Sequence, residues 1–149
     1  MSLHGLVRAE KQRILSAWEA IAGSLWGARH EAGPLFREQM REFLDWVEER
    51  IQHADRAPSF PHERAVRHAG ERVRAGYDLG ELISDYAVMR DCVLEAWEHQ
   101  PDALASPSEV RRLNQAIDEV IAYVAVLYAR LRLFRDDRAR EQPDLVPPH

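Results

Sequence analysis

"HAGERVRAGYDLGELISDYAVMR", residues 68–90, reads as two amphipathic helices joined by a tight turn. Gly76 stands where a helix-ending residue takes a left-handed backbone, which glycine adopts without steric cost. Asp78 is a good N-cap for the helix that follows. Glu81, at the third helical position, can return the bond and complete a capping box. Tyr77 and Leu82 occupy the two ends of a hydrophobic staple. The turn is thus explained by helix chemistry alone, with no ligand required.

Folding back at that turn sets the two helices antiparallel, and equal rises of about 1.5 Å per residue pair positions whose numbers sum to about 154. His68 then lands near Tyr86, and Arg72 near the segment from Leu82 to Asp85. Leu79, Leu82, Ile83, Tyr86, Val93 and Trp97 form the inward stripe of the second helix. Arg90 falls inside that stripe, so it must be paired or must snorkel. Tyr86, one turn earlier, offers its ring for a cation–π contact. His68, Arg72, Asp85, Tyr86 and Arg90 therefore make a candidate polar cluster with two readings. One is a site that binds an anion, relays a proton or senses pH through His68. The other is an ion-pair network that fixes the register of two helices.

Outward from the hairpin the apolar spacing stays helical. Leu3, Val7, Ile14, Trp18, Ile21 and Leu25 mark one helix, and Phe36, Met40, Phe43, Val47 and Ile51 a second. The last helix opens on Ser106, Pro107 and Glu109: N-cap, first-turn proline and capping-box acid. Val110, Leu113, Ile117, Val120, Val124, Leu127, Leu131 and Phe134 then keep a three-four alternation, the seam of a coiled coil or a long bundle helix. No strand-like alternation appears. The expectation is an all-α, five-helix bundle with a long C-terminal helix, one domain over residues 1–136 and a flexible tail or linker over 137–149.

The run "VIAYVAVLYA", Val120 to Ala129, carries no charge, and a helix apolar nearly all round must be covered on more than one side. A homodimer is expected to supply that cover, with Val120, Val124, Leu127, Tyr128 and Leu131 at its interface.

Composition removes several function classes. The net charge of −5 and the scattering of basic residues among acidic ones leave little electrostatic drive for nucleic-acid binding. Cys92, the lone cysteine, cannot close an intramolecular disulfide and reads as buried filler. No segment approaches the ~20 apolar residues of a membrane span and the start lacks a signal peptide, so no membrane and a cytoplasmic location are expected. His30 and His62 are poor copies of a kinase phosphoacceptor, and no Gly-rich nucleotide box occurs. No metal-ligand spacing is present, and no cofactor is expected. Nucleophile, base and oxyanion donors cannot be assembled, which argues against an enzyme.

Residues 10–135 resemble the N-terminal domain of the RsbT co-antagonist family (RsbRD), which also stands at the front of bacterial sensor histidine kinases. The shared string is His68, Arg72, Gly76 with an aromatic after it, Leu79, the acid–Tyr pair Asp85–Tyr86, Arg90 and Trp97, with "ILSAW" at Ile14 to Trp18 upstream. Asp85 and Met89 stand where the family usually has Glu and Leu. The resemblance implies a distantly globin-like, dimeric, non-catalytic signal-input domain that acts through its C-terminal helix on a histidine kinase or STAS-type output module, with no known ligand. The rival reading is a stand-alone small-ligand or haem-binding helical protein, with His68 or His99 as the iron ligand.

Overall fold

A computed structural model of the chain describes residues 1–27, 33–53, 55, 58–101 and 106–141. Among them are six α-helices and no strand: α1 (Leu3–Ala9), α2 (Lys11–Ala22), α3 (Gly33–Gln52), α4 (His62–Arg74), α5 (Leu79–Glu98) and α6 (Pro107–Glu141), with a π-helical turn at Gly23–Gly27 after α2. The protein is an all-α helical bundle. No helix among the described residues is long and apolar enough to cross a membrane.

The α4–α5 turn forms as its residues dictate. Gly76 takes φ 83°. Tyr77 N–H bonds Arg72 C=O at 3.0 Å and Gly76 N–H bonds Val73 C=O at 3.2 Å, the two bonds of a Schellman motif. Asp78 Oδ1 accepts from Glu81 N–H at 2.8 Å, and Glu81 Oε1 accepts from Asp78 N–H at 3.1 Å, so the capping box is complete. Tyr77 and Leu82 are both buried.

Two elements differ from expectation. The first helix is divided at Glu10, whose φ −109° and ψ 17° end α1 and start α2. The break turns Leu3, Leu6 and Val7 toward α3, while Ile14, Leu15 and Trp18 face α5. Ile21 and Leu25, expected on the inward stripe, are exposed. At the start of α6, Ser106 Oγ caps Glu109 N–H at 3.4 Å. The Glu109 carboxylate, however, accepts from the Leu3 and His4 N–H groups at 3.0 and 3.3 Å and so caps α1, where an anion meets the positive end of that helix.

The hairpin is also wider than close antiparallel packing would make it. The backbone of α4 lies mainly against α6, not α5. Large side chains fill the space between α3, α4 and α5: Phe36, Phe43, Phe60, Tyr77, Tyr86 and the whole of Arg72 are buried there. Helix α6, about 52 Å long at 1.5 Å per residue, packs on α3, α4 and α5 through Leu113, Ile117, Val120, Val124 and Leu127. It runs to Glu141, past the expected boundary at residue 136, and every residue from Arg132 to Glu141 is exposed. The expected tail from residue 142 and the phosphoacceptor copy at His30 lie outside the described residues.

Candidate functional site

Four of the five expected cluster residues meet in the interior. On α4, His68 and Arg72 lie one turn apart on the same face. On α5, Asp85 and Tyr86 face them, and all four are 0% exposed. The Tyr86 hydroxyl and His68 Nδ1 are 2.9 Å apart, with the two rings nearly parallel at 11°. This is the pair that the antiparallel numbering expects. Arg72 Nε donates to Asp85 Oδ2 at 2.8 Å. Arg72 Nη1 donates to Gln39 Oε1 at 2.6 Å and to the His68 carbonyl at 3.2 Å. The guanidinium also lies over the Phe36 ring, 4.3 Å from its centroid, and 6.0 Å from that of Tyr86. Trp18 of α2 completes the assembly: its Nε1–H donates to the Asp85 carbonyl at 2.9 Å.

The electrostatics follow from burial. Burial first, then Arg72, Arg67 and Arg64, pushes the His68 imidazolium down to about 2, so the ring is neutral across the ordinary pH range. The Glu42 carboxylate sits 4.0 Å from His68 Nε2. It favours the tautomer with the proton on Nε2, leaving Nδ1 to accept from the Tyr86 hydroxyl. Burial raises the Tyr86 pKa, aided by Asp85 and opposed by Arg72, so the phenol keeps its proton. Burial pulls the Arg72 pKa down, and Tyr86, Asp85 and Tyr77 more than offset it. The cluster is therefore one ion pair, Arg72–Asp85, held inside a neutral polar shell. Gln39 Nε2, His68 Nε2 and Arg72 Nη2 are buried without a hydrogen bond. His68 is neutral and the cluster is closed to solvent, which favours the register reading of these residues.

Arg90 does not join the cluster. The buried stripe of α5 runs through Leu82, Tyr86, Met89, Val93 and Trp97, which puts Arg90 at its edge. There it pairs with Asp118 of α6. The cation–π contact expected for Arg90 over Tyr86 is made by Arg72 instead.

Four of the five residues expected at a dimer interface pack inside the protomer instead. Val120, Val124, Leu127 and Tyr128 are buried within the protomer, and Leu131 is half-buried. The Tyr128 hydroxyl donates to the Tyr77 carbonyl at 2.5 Å, tying α6 to the α4–α5 turn. The helix is nevertheless apolar on a second side: Ala122, Val126, Ala129 and Leu133, at four-three-four spacing, are all exposed.

Gln39 is the site residue that the hydrophobic pattern passes over. It sits three residues after Phe36 and four before Phe43, a polar group on the inward face of α3, and that position is its only sequence signal. Among the described residues no group of three or more His, Cys, Asp or Glu side chains is placed to hold a metal. No protein-family model matches the sequence, and comparisons with curated proteins and with solved structures return no similar protein.

Proposed function

We propose that the chain is a non-catalytic signal-input domain of the kind its resemblance to RsbRD N-terminal domains implies, working in the cytoplasm. In this reading it dimerises along α6 and passes a change in helix packing to a histidine kinase or STAS-type output. The observation that carries the reading is the division of labour on α6. One apolar face is buried against the bundle and bonded to the Tyr77 turn, while the opposite face is exposed through Leu133. A second copy of the chain is the partner whose identical stripe fits it, an isologous contact. The interface residues proposed are therefore Ala122, Val126, Ala129 and Leu133.

The closed cluster supports a non-catalytic role, because Arg72, Asp85, His68 and Tyr86 have no surface from which to meet a substrate. They join α4 to α5, and through Gln39 and Trp18 to α3 and α2. A shift of α4 is thereby felt at the turn that holds Tyr128. Small helix shifts of this type are an established form of signal transmission. The same packing disfavours haem at His68, whose ring is enclosed by Tyr86, Phe60 and Arg72.

The test is a fusion of α6, in continuous helical register, to the dimerisation helix of a histidine kinase. Autophosphorylation is expected to change in Arg72→Lys, which keeps the charge and loses the fork geometry, and in Ala129→Glu. Output identical in both variants, with folding intact by circular dichroism, contradicts the proposal.

A further inference from the structure

Beside the exposed stripe of α6 lies an open groove of about 780 Å³, within the range of small-molecule sites. One wall is the flank of α6 at Tyr123 and Leu127, with Val126 on the edge that the groove shares with the exposed stripe, and the other is the segment that leads into α4, at Phe60, Pro61 and His62. Four of these six residues present rings. The Tyr123 hydroxyl bonds His62 Nδ1 across the groove, with their rings edge to face. Two charged side chains line it, and they differ. Glu119 is neutralised by Arg50 at 2.8 Å. Arg130, roughly 16 Å further along the helix, is exposed and has no ion-pair partner among the described residues.

We propose that this groove binds a flat aromatic monoanion, a bicyclic aryl carboxylate, with its ring system against Pro61 and Tyr123, above the buried Phe60, and its carboxylate on Arg130. Ring faces stack on ring faces, and the charge left unpaired in the groove is positive. A smaller groove between α2 and α5, of about 380 Å³, has Glu10, Arg13, Glu95 and His99 in its lining and touches none of the cluster.

Phe60 connects this site to the interior. It is 5% exposed, and its ring stands edge to face with His68 and Trp46 at 5.4 Å and with Phe43 at 6.1 Å. Trp46 Nε1–H, donating to the Pro58 carbonyl at 2.9 Å, holds the segment down. A ligand that presses on Phe60 presses on His68, and so on Tyr86. Binding stands on the groove alone, whereas this inward route rests on the proposed signalling role.

Titrating the full chain with 2-naphthoate, by calorimetry and by ¹⁵N-resolved NMR of the four indole N–H groups, tests both parts. Saturable binding is expected, weakened about tenfold in Arg130→Gln and similarly weaker for the neutral isostere naphthalene-2-carboxamide. The Trp46 indole signal, assigned with Trp46→Phe, should shift at the same midpoint. No saturable binding, equal binding by Arg130→Gln, or equal binding of the amide overturns the site. Binding that appears only when Leu133→Asp is introduced also overturns it, because a second copy then covers the groove. A shift at Trp46 with none at Trp18, whose N–H holds the Asp85 carbonyl, keeps the site and removes the inward route. Loss of self-association with naphthoate binding intact removes the dimer and leaves this site standing.

Discussion

On one face of α6, Val120, Val124 and Leu127 are buried against three other helices; on the opposite face, Val126, Ala129 and Leu133 stand in solvent. The two stripes are of similar composition and lie in the same stretch of helix. What separates them is supply. The side chains of α3, α4 and α5 cover one arc of α6, and the Tyr128–Tyr77 bond fixes which arc that is. A greasy helix therefore carries two kinds of residue that hydrophobicity cannot tell apart, those that hold the protomer together and those left for a partner.

The same substitution on the two faces separates them most sharply. Val124→Asp places an uncompensated carboxylate in the core and should cost several kcal/mol, about 4 or more, enough to unfold a marginally stable domain. Loss of the helical circular-dichroism signal at 25 °C checks it. Arg72→Ala comes next, since removing one partner of a buried ion pair strands Asp85, at about 3–5 kcal/mol in urea unfolding.

The third effect depends on pH. The folded state holds the His68 pKa below its unfolded value near 6.5. The unfolded chain therefore binds the extra proton first, and the stabilisation is present above pH 6.5 and lost as pH falls toward about 2. Stability should drop by up to about 1.4 kcal/mol per pH unit below 6.5. His68→Gln should remove that slope, measured as the difference between the two proteins' urea midpoints from pH 7 to pH 4. Equal slopes would sink the assignment. Tyr128→Phe, which deletes one buried hydrogen bond between α6 and the turn, should cost about 1 kcal/mol. Leu133→Asp is the smallest: within about 0.5 kcal/mol of the parent in stability per protomer, with its effect confined to self-association.

What the sequence made legible was local chemistry. Gly76, Asp78 and Glu81 act within a few residues of one another, so the turn and its capping box could be read directly. Antiparallel counting from that turn then paired His68 with Tyr86 and brought Arg72 to Asp85. The unreadable parts depend on distant elements. Arg90 has its partner on α6, and nothing near it in sequence distinguishes Asp118 from any other exposed acid. The break at Glu10 has no glycine or proline to announce it; its two halves pack differently, α1 mainly on α3 and α2 mainly on α5. Glu109 satisfies the pattern of a box for its own helix and caps another. Gln39 belongs to the cluster through Arg72, a contact between helices whose separation the large buried side chains set.

The most direct measurement is sedimentation equilibrium of the parent protein and of Leu133→Asp over a wide concentration range. The parent should sediment as a dimer and Leu133→Asp as a folded monomer, with Leu131→Ala, at the half-buried margin of the inner face, still self-associating. A parent protein that stays monomeric and unaggregated at the highest concentration would mean that the outer stripe serves no second copy.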